Sequence, residues 1–258
     1  LDARQGALTD AFARARPDLL ITELFPFGRR ILRAEFTALL DAAKAATVPV
    51  LSSVRDILAP PSKPAKAALA DDLVAAYYSG VLVHSVAEIA ALELSWPVSD
   101  RLKKRLYYTG FVAPAAPEAH PDGIGAGEVL VSAGGGSVGD HLFDAALGDF
   151  RQMLRGAAIS VSMCGYNTAL DVLQTGVRAV FVPFDAGDEV EQGLRADALA
   201  EQAGIAVLRA GDLTAESLLD RVRNVADAAP RAPLVAGVDG AAETVRIARR
   251  IVEDHHAG

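Results

Sequence analysis

The sequence has little of several features that would narrow its function at once. It contains one cysteine, Cys164, so neither a disulfide framework nor a cysteine-based metal cluster can form. Its five histidines are scattered except for a pair at the end, and no metal-ligand spacing links them. No apolar run reaches the ~20 residues that span a bilayer, and no signal-peptide pattern opens the chain. We therefore expect a cytoplasmic protein.

Positive charge is also in short supply. Against 33 Asp and Glu residues there are 25 Lys and Arg residues, which gives a net charge of −8. This balance argues against a general nucleic-acid or acidic-membrane surface, although it allows a local basic cleft for an anionic ligand. The 258 residues, 51% of them apolar, are enough for one large domain or two ordinary ones.

Short buried strands alternate with helical patterns along the chain. In the first half, strands are predicted at 18–24, 48–52, 81–84 and 106–109. In the second half, they are predicted at 129–132, 159–162, 179–183 and 205–208. The alternation predicts an α/β protein with parallel, doubly wound sheets. A stretch rich in proline and glycine, 113–127, is the best interdomain linker, so we predict two Rossmann-like domains, 1–112 and 113–258.

A glycine loop follows the first strand of the second half. It consists of Gly134, Gly135 and Gly136, followed by Ser137 and a helical pattern. Without Cβ atoms the backbone can approach a ligand closely, and amides at a helix start favour a phosphate. The loop has the order of neither a dinucleotide fingerprint nor a P-loop. An ordinary strand-to-helix turn remains an equal alternative.

A second polar turn, Gly165-Tyr166-Asn167-Thr168, follows the next strand. Asn167 or Thr168 would cap the following helix, and Thr168 with Asp171 resembles a capping box in which Asp replaces Glu. Asp171 could instead face a cleft and accept hydrogen bonds from vicinal hydroxyls, as acidic residues do for a ribose. Both interpretations stay open at this point.

An acidic loop, 184–192, follows the third strand. Its acids Asp185, Asp188 and Glu189 suit a solvated helix start. The pair Glu191 and Gln192 is more typical of a site, because together they can accept hydrogen bonds from sugar hydroxyls and donate to them.

Charged residues also follow two strands of the first half. Glu23 and Arg29 come after the first strand, and Arg55 and Asp56 come after the second. Glu23 and Asp56 are candidate catalytic bases, and Arg29 and Arg55 are candidates for binding an anion. A structural ion pair, for example between Arg55 and Glu23, is as strong an interpretation.

Taken together, these motifs resemble glycosyltransferases of the two-domain GT-B type, and family 28-like enzymes in particular. That group is related to the UDP-N-acetylglucosamine transferase of peptidoglycan synthesis. The similar segments are ELFPFGRR, SVRDIL, VLVH, YTGFVAP, VSAGGGSVG, ISVSMCGYNTALDVL and VPFDAGDEVEQGLRA. They cover most of the chain and are most specific in the second half.

The resemblance implies two Rossmann-like domains facing a cleft, with the donor in the second domain and the acceptor in the first. It implies a UDP-sugar donor as substrate and no metal or other cofactor. The glycine loop would lie near the diphosphate, Tyr166 to Thr168 against the nucleotide, Asp171 at the uridine ribose, and Glu191 and Gln192 near the donor sugar. The acceptor and the oligomeric state are not indicated.

Two departures from the family pattern stand out. The family opens with a strand and a Gly-x-Gly-His loop, whose histidine lies near the reaction centre, and the sequence given lacks it. The stretch from Gly136 to Gly165 is also shorter than in relatives. We therefore expect segments to be missing before Leu1 and between Leu147 and Gly156. A nucleotide-sugar epimerase or hydrolase, or a non-catalytic UDP-sugar sensor, remains an alternative function.

Overall fold

The computed structural model describes residues 2–132, 150–185 and 189–257. They form two compact units, one of Leu1–Val112 with Asp239–Gly258 and one of Ala113–Val238. The predicted second domain, 113–258, is therefore wrong at its end, because the last twenty residues belong to the first unit. The expected omission after Leu147 falls partly on 133–149, outside the described residues.

The first unit is a four-stranded parallel sheet with helices around it, in the order β1-β2-β3-β4. Its strands are β1 Leu20–Glu23, β2 Val50–Arg55, β3 Gly80–His84 and β4 Leu106–Tyr108. Its helices are α1 Asp2–Ala15, α2 Arg33–Ala45, α3 Pro64–Tyr77, α4 Asp100–Lys103 and the closing helix α9 Gly240–Ala257. Helix α1 was not predicted from the sequence.

The sheet of the first unit is covered on both faces, as near-continuous apolar strands require. One face packs against a core that includes Phe25, Leu40 and Trp96. On the other face, Ile247 and Ile251 of α9 pack against Leu51 and Leu82. This apolar face of α9 explains why the closing helix belongs to the first unit.

The start of α9 is also fixed to the first unit. The amide of Gly240 donates to the carbonyl oxygen of Phe111 over 3.0 Å. A Cβ atom on Gly240 would lie 2.5 Å from the carbonyl oxygen of Gly110, so only glycine permits this close approach.

The second unit is also a four-stranded parallel sheet, in the order β5-β6-β7-β8. Its strands are β5 Val129–Ser132, β6 Ile159–Ser162, β7 Arg178–Phe181 and β8 Ile205–Val207. Its helices are α5, described over 150–156, α6 Tyr166–Thr175, α7 Glu191–Leu199 and α8 Ala215–Ala226. Two parallel-sheet α/β units of four strands each confirm the predicted fold class.

Helix α8 covers one face of the second sheet. Val225 of α8 packs with Ile159 and Val161 of β6 and with Val180 of β7. Gly176 ends α6 with a left-handed φ of 73°, a backbone conformation that glycine adopts without strain. The carboxyl ends of β6 and β7 therefore open toward the starts of α6 and α7.

Candidate functional site

The predicted glycine loop lies outside the described residues. This applies to Gly134, Gly135, Gly136 and Ser137, and Asp188 of the acidic loop lies outside them as well. Their proposed contacts with a diphosphate therefore stay predictions. The described strand β5 ends at Ser132, which pairs in register with Ser162 of β6.

The polar turn after β6 leads directly into α6. Gly165 is the N-cap residue with extended backbone angles, and no side chain caps the helix. The predicted caps Asn167 and Thr168 are therefore wrong, because both residues lie inside the first helical turn. The first amides of an α-helix have no partner within the helix and carry a partial positive charge. This turn can therefore bind an anion through its backbone.

Asp171 lies one turn further along α6 and pairs with Arg151 of α5. The Nε of Arg151 donates to Oδ1 of Asp171 over 2.6 Å, and the two side chains are 24% and 16% exposed. Burial raises the pKa of the Asp171 carboxyl above its ordinary value, against the opposing effect of the Arg151 hydrogen bond and charge. Because its helix has no side-chain cap and its partner is Arg151, Asp171 takes no part in a capping box.

Arg151 connects α6 to the segment that opens the second unit. Its Nη2 donates to Oε1 of Gln174 over 2.9 Å and to the carbonyl oxygen of Ala115 over 3.2 Å. The amide of Gln174 donates in turn to the carbonyl oxygen of Pro114 over 3.0 Å. These bonds hold one oxygen of Asp171 in place. Neither Arg151 nor Gln174 was predicted from the sequence.

The acidic loop after β7 is tied to the start of α7. Gln192 accepts a hydrogen bond from the amide of Phe184 through Oε1 over 3.1 Å. Glu189 accepts one from the amide of Glu191 over 2.9 Å, close to the helix start that favours acidic groups. Glu191 and Gln192 are both partly buried in the first turn of α7.

Arg195 brings the two predicted loops together. Its side chain is 5% exposed, and its Nη1 donates to the carbonyl oxygen of Cys164 over 2.9 Å. Its guanidinium carbon lies 6.0 Å from the centre of the Tyr166 ring. A buried cation thus lies between the starts of α6 and α7. Arg195 was not predicted from the sequence, although it lies one turn after Glu191, on the inner face of α7.

Glu23 and Arg29 form an ion pair at the carboxyl end of β1. Their side chains are 67% and 43% exposed, and Arg29 Nη2 lies 2.6 Å from Glu23 Oε2. The structure gives Glu23 this partner in its own loop, whereas the sequence suggested Arg55. Hydroxyl groups fix the backbone of this loop: those of Thr22, Ser52 and Tyr78 lie within 3.2 Å of the carbonyl oxygen of Phe25.

Arg55 and Asp56 differ in their surroundings. Arg55 ends β2 and is exposed, whereas Asp56 is 2% exposed. His84 is the register partner of Arg55 on β3 and was not predicted as a site residue. Its ring nitrogens lie 2.8 Å from two hydroxyls, those of Ser53 and Thr109.

Across residues 2–132, 150–185 and 189–257, no group of three or more His, Cys, Asp or Glu side chains could hold a metal ion. Over the same ranges, no helix is both long enough and apolar enough to cross a membrane.

Residues 148–237 match the model of the glycosyltransferase family 28 C-terminal domain. No curated protein matches the chain in a sequence comparison. The match covers most of the second unit, including the turn at Gly165, Asp171 and the pair Glu191 and Gln192.

Several solved glycosyltransferases are similar to this chain in fold. The glycotransferase of kitacinnamycin aligns with a TM-score of 0.57 at 15% identity, over 98% of this chain and 76% of that chain. MurG of Acinetobacter baumannii aligns with a TM-score of 0.56 at 13% identity, over 95% and 78%. The glycosyltransferase VinC, in complex with DTDP, aligns with a TM-score of 0.55 at 16% identity, over 97% and 75%.

The two parallel-sheet units have the GT-B fold of glycosyltransferases. Together with the matched domain, this fold confirms the similarity to family 28 glycosyltransferases that the motifs predicted.

Proposed function

We propose that this enzyme transfers a sugar from a UDP-sugar to an acceptor hydroxyl without a metal ion. The second unit binds the donor, and the first unit carries the groups that act on the acceptor. The main support for this proposal is the position of Arg195. Its hydrogen bond joins α7 to the turn after β6, inside the region matched to family 28. We also propose a cytoplasmic location, as the single buried cysteine suggests.

The donor diphosphate needs positive potential where its negative charge grows as the sugar leaves. The amides of Tyr166, Asn167 and Thr168 at the start of α6 can supply hydrogen bonds, and the helix dipole adds to them. Arg195 adds a full charge close to the same turn. These groups take the place that a divalent cation would otherwise fill. The glycine loop Gly134 to Ser137 is proposed to complete this binding site.

The uridine and the sugar would contact the polar side chains around this turn. Arg151 bonds Oδ1 of Asp171, which leaves Oδ2 to accept from a ribose hydroxyl. Gln192 uses Oε1 within its loop, and its amide group can donate to a sugar hydroxyl. Glu191 would accept from a second hydroxyl. The resemblance to family 28 supports uridine, whereas VinC binds DTDP, so the two bases need a direct comparison.

The acceptor hydroxyl must lose a proton during transfer. Glu23 is exposed but already bonded to Arg29, and Asp56 is almost fully buried. Either carboxylate therefore needs rearrangement before it can act as a base. Arg29 and Arg55, both exposed, are proposed to bind an anionic group of the acceptor or the diphosphate.

Product analysis tests the proposal. The protein is incubated with UDP-glucose or UDP-N-acetylglucosamine, with and without hydroxyl acceptors, and the products are identified by mass spectrometry. A new glycoside together with UDP supports a transferase. UDP with free sugar favours the hydrolase, a changed sugar favours the epimerase, and binding without turnover favours the sensor.

A further inference from the structure

Three side chains at the carboxyl edge of the first sheet form a connected chain of hydrogen bonds. Ser53 Oγ lies 2.8 Å from His84 Nε2, and His84 Nδ1 lies 2.8 Å from Thr109 Oγ1. Ser53 is on β2, His84 ends β3, and Thr109 directly follows β4. Three adjacent strands therefore each contribute one member.

The direction of these bonds follows from the available protons. Thr109 Oγ1 lies 2.8 Å from the carbonyl oxygen of Gly110, which can only accept, so the hydroxyl proton points there. Thr109 then accepts from His84, which places the ring proton on Nδ1. His84 Nε2 keeps its lone pair and accepts from the hydroxyl of Ser53. A neutral imidazole thus polarises Ser53 while Thr109 orients the ring.

The chain lies where a substrate could reach it. Ser53 and His84 are partly exposed, and Thr109 is 3% exposed. Because side chains alternate along a strand, all three lie on the sheet face that α9 covers through Leu51, Leu82 and Tyr107. Each lies two residues after one of these apolar residues, toward the carboxyl edge of the sheet, where α/β sheets bind ligands.

Burial lowers the pKa of the His84 imidazole, so the ring is neutral and able to accept a proton near pH 7. Arg55 is its register partner on β2, and Asp56 follows Arg55 in the chain. Three charged side chains of α9 have partners of their own. Glu243 pairs with Arg246, and Arg250 lies over the ring of Tyr107.

We propose that Ser53, His84 and Thr109 form a proton relay that deprotonates the acceptor hydroxyl in the transfer reaction. This inference rests on the proposed function. Ser53 takes the proton of the acceptor hydroxyl and passes its own proton to Nε2 of His84. The acceptor oxygen forms a bond to the anomeric carbon of the sugar, and the bond from that carbon to the diphosphate breaks. The nucleoside diphosphate leaves with the electron pair.

A purely structural role for these three residues would use the same hydrogen bonds. Two measurements therefore distinguish a structural role from a proton relay. The first is the tautomer of His84 in the full chain, read from long-range proton–nitrogen NMR spectra, with His84→Gln assigning the signal. The relay requires the neutral form with the proton on Nδ1 at pH 7. A proton on Nε2, or a cationic ring at pH 7, would overturn the relay.

The second readout is UDP release from UDP-glucose or UDP-N-acetylglucosamine, with water or glycerol as acceptor. Both His84→Gln and Ser53→Ala should lower kcat by about 100-fold or more, the usual contribution of a general base. In the parent, kcat/KM should fall below the pKa of His84, and His84→Gln should abolish this acidic limb. Thr109→Ser should keep most activity, because it retains the hydroxyl that orients the ring.

His256→Gln, an exposed histidine of the same unit, is the matched control and should change neither readout. UDP-induced thermal stabilisation in each variant reports donor binding by the second unit and also reports folding. If that stabilisation and parent turnover are present but Ser53→Ala turns over normally, the relay is wrong and the transferase proposal stands. If the parent binds no UDP, the proposed function itself fails.

Discussion

Arg151 holds Asp171 by a 2.6 Å hydrogen bond between two largely buried side chains. The acidic residue that the family resemblance assigns to the ribose is therefore fixed in position before any ligand binds. Its second oxygen is not used by Arg151 and can accept from a hydroxyl. We therefore expect substitution of Arg151 to change mainly the stability of the fold, and substitution of Asp171 to change nucleotide binding.

Removing Arg151 should destabilise the fold in a pH-dependent manner. Arg151→Ala leaves Asp171 as a buried carboxylate without its cation, which should cost about 1–3 kcal/mol of unfolding free energy at pH 7. The folded pKa of Asp171 is already raised by burial and should rise further. Because the carboxyl pKa is higher in the folded state, the destabilisation is absent below the unfolded pKa, grows with pH between the unfolded and the folded pKa, and is complete above the folded pKa.

Urea unfolding at pH 4 and pH 7 checks this expectation. The deficit of Arg151→Ala should be larger at pH 7, and adding Asp171→Asn should remove most of the pH dependence. Arg155→Ala is the matched control, since Arg155 on the same helix bonds only a carbonyl oxygen, that of Thr175, among the bonds described for it. An equal loss at both pH values would contradict the account.

Asp171→Asn should weaken nucleotide binding while preserving the shape of the side chain. Loss of one charge-assisted hydrogen bond to the ribose predicts about a tenfold rise in the Kd for UDP, or about 1.4 kcal/mol. Titration calorimetry measures it directly. Asp197→Asn, which removes an exposed partner of Arg209 in the same unit, should leave the Kd unchanged. Equal affinity in Asp171→Asn and the parent would remove Asp171 from the site.

Arg195→Lys should impair both the fold and donor binding. Lysine keeps the charge but lacks the planar group that reaches the carbonyl oxygen of Cys164, so we expect about 1–3 kcal/mol less stability. The thermal shift produced by UDP should shrink as well. Arg209→Lys, in a partly exposed ion-paired position, is the control and should do neither. An unaltered UDP shift in Arg195→Lys would show that this cation does not serve the diphosphate.

Gly176→Ala should destabilise the second unit without changing the donor site. Gly176 has a φ of 73°, and an added Cβ would lie 2.8 Å from the carbonyl oxygen of Arg231. Both effects oppose alanine, so we expect a loss of about 1–3 kcal/mol in thermal or urea unfolding. The Kd for UDP, measured below the unfolding transition, should match that of the parent. A neutral or stabilising substitution would refute this assignment.

Chelation tests the absence of a metal requirement. If the helix starts and Arg195 neutralise the diphosphate, excess EDTA should change neither UDP binding nor turnover, and added Mg²⁺ should not increase turnover. Loss of turnover with EDTA, restored by Mg²⁺ or Mn²⁺, would assign that role to a cation.

Much of the fold could be predicted from local patterns. Runs such as Val81 to Val83 are apolar throughout because parallel strands are buried on both faces, and the described strands match the predicted ones closely. The closing helix α9 was assigned to the wrong unit. Its sequence predicts an apolar face but not the surface that this face meets, here Leu51 and Leu82.

The candidate site was predicted less completely than the fold. Glycine and acidic residues after strands give a local signal, and Gly165, Asp171 and Gln192 lie at or near helix starts as expected. No local sequence signal marks Arg151, Arg195 or His84, because each of them contacts residues that are distant in sequence. His84, for example, meets Ser53 and Thr109 only after three strands align.

Calorimetric titration of the full chain with UDP, DTDP, ADP and GDP is the decisive experiment for the donor site. We expect one site for UDP with a Kd at least about tenfold lower than for ADP or GDP, and stabilisation of about 2.7 kcal/mol at a hundredfold excess over Kd. Tighter binding of DTDP than of UDP would support the same donor site with thymidine in place of uridine as the preferred nucleoside. No binding of either pyrimidine nucleotide would contradict the donor site and the transferase proposal with it.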